Sequence, residues 1–89
     1  MRAVISVIGK DTIGILSKVS TICSEHSANV IDVTQTVMQN LFAMVMLVDI
    51  QKLDTSFGDF ADDLKSLGEK QGLSVHVMHE DIFNSMHRI

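Results

Sequence analysis

The sequence predicts an α+β domain, a ferredoxin-like βαββαβ sandwich. Its antiparallel sheet runs in the order 4-1-3-2, and a short C-terminal helix follows. Three observations carry this. Four apolar, β-branched or alternating runs are separated by two stretches with helical apolar spacing. Only Gln39 and Asn40 stand between the second and third runs, which makes those two a hairpin. Two split βαβ units joined by a hairpin form the plait, and right-handed crossovers then set the sheet order and put both helices on one face. The 89 residues have room for one such domain over 1–80, with 81–89 as a helical tail.

Residues 2–8 (RAVISVI) read as the first strand, ending at Gly9. Ile15, Leu16, Val19, Ile22, Cys23 and His26 then fall on one face of a helix, with Ser17, Lys18, Ser20, Thr21, Ser24 and Glu25 opposite. Asp11 or Thr12 is placed to cap its start. Residues 29–38 (NVIDVTQTVM) mix polar and apolar positions and suit a sheet edge. Residues 41–50 (LFAMVMLVDI) are apolar almost throughout and suit a central strand. Leu53, Phe57, Phe60, Ala61, Leu64, Leu67 and Gly68 repeat at helical spacing. Asp54, Thr55 or Ser56 can cap this second helix; Ser56 with Asp59 three residues on resembles a capping box, and Gly72 sits where a helix-ending glycine belongs. Residues 73–79 (LSVHVMH) alternate as the last strand, and Ile82, Phe83, Met86 and Ile89 share one face of the tail helix.

The plait leaves one sheet face without helices, and such a face is normally polar. Here it is not. Whichever way the third strand is turned, it offers either Phe42, Met44, Met46 and Val48 or Leu41, Ala43, Val45 and Leu47. Both the tail helix and a second subunit are expected to cover this face, so the chain is expected to form a homodimer.

The composition excludes several classes of function. A net charge of −4 and seven scattered basic residues leave no stripe to displace counterions from nucleic acid. With no Tyr or Trp and four Phe, base-stacking platforms are poorly supplied. One cysteine permits no internal disulfide, no run approaches eighteen apolar residues, and no signal peptide is evident. The expected location is the cytoplasm, with no membrane partner. The four histidines show no zinc spacing, so no metal is expected. Cys23 sits on an apolar helix stripe, which reads as a buried small hydrophobe and not a nucleophile. The pairs Asp62–Asp63 and Glu80–Asp81 read as solvated surface. A phosphoryl-transferring version of the plait needs an arginine near the first loop, and the only arginines are Arg2 and Arg88. No catalytic residue and no cofactor is implied.

The stretch GKDTIG, residues 9–14, is the chemically pointed one. It lacks the Lys-Ser/Thr that a Walker phosphate loop places after its last glycine, because Ile15 and Leu16 follow. It also lacks the dinucleotide pattern GxGxxG. A strand running into a helix N-terminus does present unpaired N–H groups and the positive end of the helix dipole. Gly14 has no side chain to keep a ligand away, and Asp11 can accept hydrogen bonds from an ammonium group. Carboxylate on backbone and ammonium on Asp11 is the recognition set for a free amino acid. The plainer reading stands beside it: Asp11 only caps the helix and Gly14 only relieves crowding.

These residues, with the helix continuing to EHSANVIDVTQ and the hairpin partner FAMVMLVDI, resemble an ACT domain. That family is a small regulatory module found on many enzymes of amino-acid metabolism. The chain is most similar to its stand-alone single-ACT members, over roughly the first 80 residues, a whole domain's length. The family's loop pattern of Asp or Asn, two variable residues and Gly falls on Asp11, Thr12, Ile13 and Gly14. Many members have proline where this chain has Ile13; proline suits a first helical turn but is not required there. The family's Asn at the entry to the second strand matches Asn29. The resemblance implies a side-by-side dimer through the second strands. It also implies an amino acid, or a similar small carboxylate, held between Gly9, Asp11, Thr12, Ile13, Gly14 and Ile15 of one subunit and Asn29, Val30 and Ile31 of the other. A protein partner would then read the bound state. The alternative is a structural or protein–protein interaction domain with no small-molecule ligand. Residues alone leave the choice of side-by-side or face-to-face dimer open.

Overall fold

The computed structural model describes residues 1–10 and 14–86. The elements are β1 (Arg2–Lys10), α1 (Ile15–Glu25), β2 (Asn29–Met38), β3 (Leu41–Asp49), α2 (Phe57–Gln71), β4 (Ser74–His79) and α3 (Glu80–Met86). The sheet order is β2-β3-β1-β4, with every neighbouring pair antiparallel. This is the expected ferredoxin-like plait. Asp11, Thr12, Ile13, His87, Arg88 and Ile89 lie outside the described residues.

Strand alternation decides which residues enter the core. Ala3, Ile5 and Val7 of β1 pair with Val48, Met46 and Met44 of β3, and all six are fully buried beneath the helices. Helical spacing supplies the other half, with Ile15, Val19 and Cys23 from α1 and Phe60 and Leu64 from α2. Each large side chain so buried contributes about 1.5–3 kcal/mol. Gly68 lets α2 sit close on β4: a Cβ there would lie 2.5 Å from Val75 Cγ2 and 3.1 Å from the Leu73 carbonyl oxygen.

The helix ends follow from local hydrogen bonding. Ser56 caps α2 by accepting from the Asp59 N–H at 3.1 Å. Gly72, at φ 70°, ends α2 in a Schellman motif, with the Leu73 N–H donating to the Gly68 carbonyl at 2.8 Å. The end of α1 has the same shape, with the Ala28 N–H donating to the Cys23 carbonyl at 2.8 Å. There the left-handed position is held by Ser27 at φ 61°, a residue with a side chain.

Two expectations are corrected. β1 does not end at Gly9 but runs to Lys10, and Gly9 pairs with Phe42 inside the ladder. A Cβ on Gly9 would collide with Leu73 Cδ2, so this glycine makes room for the chain entering β4. The cap position of α1 is held by Gly14, not by Asp11 or Thr12.

The other sheet face presents Val4, Ser6 and Ile8 from β1, Leu47, Val45, Ala43 and Leu41 from β3, and Asp32, Thr34 and Thr36 from β2. α3 lies over the β1–β4 side of it, and Val4 is left 4% exposed. The cover stops there, because Ile8, Val45 and Leu41 remain exposed.

Candidate functional site

Those of the residues singled out in the sequence that the structure describes fall at the two ends of the sheet. One row crosses the sheet as Lys10–Leu41–Met38, and the far row as Arg2–Asp49–Asn29. Gly9 lies next to the first row and Asn29 in the second. The seven positions from Arg2 to Gly9 along β1 span about 23 Å. No single chain brings Gly9 and Gly14 together with Asn29, Val30 and Ile31.

At the first end, α1 opens on Gly14 at φ 79°, a left-handed conformation that glycine adopts without steric cost. Gly14 makes no side-chain cap bond, and the first turn carries no acidic residue. The first N–H groups of a helix have no partner within it and carry the positive end of its dipole. α2 shows the contrast, with Ser56 on its N–H groups and Asp59 in its first turn. Ile15 turns its side chain into the core and is 2% exposed, so only its backbone can face a ligand.

At the second end, Asn29 is exposed and pairs with Asp49. Ser27, Asn29, Asp49, Gln51 and Lys52 surround a polar cavity of about 210 Å³. The Asp49 carboxylate accepts from the Gln51 N–H at 2.8 Å, which orders the loop after β3. Val30 packs against the core, whereas Ile31 is 44% exposed at a bulge where the register shifts between Val30 and Asp32. Neither the spacing nor the composition signalled this bulge.

β2 is an edge strand with an unpaired outer side. An antiparallel pairing of two β2 strands would set the Asn29 of one beside the Met38 end of the other. That is the end carrying Gly9 and Lys10.

Elsewhere, side chains pair in ways the sequence did not show. His26 follows α1 and joins Asp54 and Asp63, so Asp63 is not merely solvated surface. His76 and His79 point to opposite faces, as their spacing requires, and His79 stacks on Phe57 with ring centroids 4.1 Å apart. Arg2 grips Glu80 through two contacts, of 2.6 and 3.0 Å. Cys23 is buried, and burial pushes its thiol up to about 11. Among the described residues no group of three or more His, Cys, Asp or Glu is arranged to hold a metal, and no helix is long and apolar enough to cross a membrane.

Comparison with known proteins gives this geometry a context. The model of the ACT domain family matches residues 2–78. A UPF0237 protein of Methanopyrus kandleri is 48% identical over 88 residues, covering 99% of this chain and 98% of that protein. A UPF0237 protein of Clostridium acetobutylicum is 44% identical over the full length of both. Among solved structures, an ACT domain protein from Streptococcus pneumoniae superposes with a TM-score of 0.80 at 29% identity, covering 93% of each chain. A formyltetrahydrofolate deformylase from Pseudomonas syringae shares the fold over 88% of this chain but only 27% of its own, with a TM-score of 0.78 at 17% identity.

Proposed function

This chain belongs to the ACT domain family, and we propose that it is a cytoplasmic homodimer that senses a free amino acid or a similar small carboxylate at its subunit interface. ACT domains are regulatory modules, often amino-acid-binding, and are not themselves catalytic. The observation that carries the reading is the N-terminus of α1. Its donors have no side-chain cap from Gly14 and no acidic residue in the first turn, while those of α2 have both. A ligand carboxylate suits such a terminus.

The proposed site takes the ligand carboxylate on the backbone from Gly14 to Ile15 and its ammonium on Asp11, with Gly9, Thr12 and Ile13 completing the loop. Asn29, Val30 and Ile31 of a second copy close it. The separation of the two residue sets within one chain supports a shared site. A ligand shifts a conformational equilibrium only by its differential affinity, so it must favour one dimer arrangement over another. A protein partner would respond to that arrangement.

A thermal-melt screen of the purified protein against the twenty amino acids and small carboxylates tests the proposal. A ligand at tenfold its dissociation constant adds about 1.4 kcal/mol, a rise of about 6–11 °C for a domain of this size. The rise should vanish in Asp11→Ala. The second reading, an interaction domain without a ligand, draws on the exposed apolar residues of β2, where Val37 is 68% exposed. It predicts a flat screen.

A further inference from the structure

We propose a second ligand site on the open sheet face, a groove beside α3 that takes a small ammonium compound with an apolar body. The groove holds about 250 Å³ and lies on the opposite sheet face from α1. Its apolar lining is Val4, Val45 and Leu47 from the sheet and Phe83 from α3. Its charged groups are Asp32 and Glu80.

These two carboxylates are not equivalent. Arg2 neutralises Glu80 through both of its oxygens. Asp32 accepts only the Val33 N–H, at 2.9 Å, and among the described residues no cation pairs with it. Among the described residues, the uncompensated charge of the groove is therefore a single negative one beside an apolar surface.

The bulge in β2 sets Asp32 in this place. Val30 pairs with Val48 on the helix side, Ile31 is the extra residue, and Asp32 then pairs with Leu47 on the open side. Strict alternation from Val30 would have turned Asp32 inward. An extra residue that re-aims a side chain is what a bulge supplies.

The same charges select against a zwitterion. The carboxylate of an amino acid would meet Asp32 and Glu80, and Arg2, the one guanidinium among the described residues, is already engaged by Glu80. Thr34 and Asn84 add only neutral hydrogen-bonding groups. An amine without a carboxylate fits the groove, so it is chemically distinct from the amino-acid site proposed at Gly14.

The test is a titration of the isotopically labelled full chain at pH 7 with isoamylamine, leucine and 4-methylpentanoate, which share a branched apolar body. Isoamylamine should shift the Thr34, Val45 and Asn84 amides saturably, and the other two compounds should leave those amides still. Asp32→Asn, an isosteric change at an exposed position, should weaken the amine about tenfold, the scale of one charge-assisted hydrogen bond. A response of Gly14 and Ile15 to leucine would report the other site separately. Equal shifts from 4-methylpentanoate, or unchanged affinity in Asp32→Asn, would overturn the proposal. So would silent groove amides in a dimer that Val45→Glu dissociates, which would assign the face to a second copy.

Discussion

The Nε2 of His26, just beyond α1, lies 2.6 Å from an Asp63 carboxylate oxygen on α2, while its Nδ1 lies 3.3 Å from Asp54. The edge of the ring meets Phe60, with centroids 5.8 Å apart. A neutral imidazole has one N–H, so it can donate to only one of the two carboxylates. Both contacts are hydrogen bonds only when the ring is an imidazolium.

This sets a pH dependence. The Asp63 hydrogen bond, opposed by partial burial and joined by Asp54, raises the His26 pKa above its ordinary 6.5. A group raised on folding contributes stability that is complete below its unfolded pKa and disappears as pH rises through the folded one. The stability difference between the wild type and Asp63→Asn should therefore be larger at pH 6 than at pH 9 in urea unfolding. An NMR titration should show the His26 pKa falling in Asp63→Asn, and less so in Asp54→Asn. Equal differences at both pH values would mean that the pair has no charged component.

Ser27 predicts a gain of stability. It holds φ 61° in the turn that closes α1, where a side chain is crowded and glycine is favoured. A left-handed residue with a Cβ costs about 1–2 kcal/mol, from which the flexibility of unfolded glycine subtracts about 0.5–1 kcal/mol. Ser27→Gly should raise the denaturation midpoint slightly or leave it unchanged, and Ser27→Val should lower it clearly.

The two glycines of GKDTIG should fail for different reasons. Gly9→Ala forces Leu73 to move and should cost about 1–3 kcal/mol by overpacking. A double-mutant cycle with Leu73→Ala should show favourable coupling, since the smaller residue removes the collision. Among the described residues Gly14→Ala meets no neighbouring atom within 4 Å, and its cost comes from φ 79°, about 1–2 kcal/mol, less about 0.5–1 kcal/mol returned by losing the flexibility of unfolded glycine. It should show no coupling to Leu73.

The order of the elements was legible because the apolar periods are clear and the turn residues are informative. Ser56 and Gly72 acted where local rules placed them, since each cap is made within five residues of the chain, whereas the Asp59 carboxylate accepts from the Thr55 hydroxyl. What was not legible depends on distant contacts. Gly9 read as a turn because its partner, Leu73, is sixty-four positions away. The pairing of His26 with Asp63 crosses 37 positions, and the bulge at Ile31 follows from keeping Val33 in the core and Asp32 out of it. For the candidate site, the residue types left an amino acid and a plain helix cap both open, and the resemblance to ACT domains favoured the amino acid. The placement of Gly9 and Asn29 at opposite ends of the sheet needed the strand register.

Cys23 should be inert in the folded protein. It is fully buried and its thiol is pushed up to about 11, so little thiolate forms at pH 8. A disulfide reagent should label it only as fast as the domain opens, and urea should accelerate labelling steeply. Rapid labelling of native protein would contradict the packing of α1.

The shared site is tested most directly by mixing two variants, Asp11→Ala and Asn29→Ala, each purified as a homodimer without ligand binding. After unfolding and refolding together, each mixed dimer should hold one site with Asp11 from one subunit and Asn29 from the other. Half the dimers are mixed in a statistical exchange, so about a quarter of all sites should bind the amino acid found in the thermal screen. Recovery of that fraction by calorimetry is the result expected for a site built across the interface. If each variant alone is inactive and the mixture stays inactive despite confirmed subunit exchange, the site does not combine these residues across two chains, and the account is wrong.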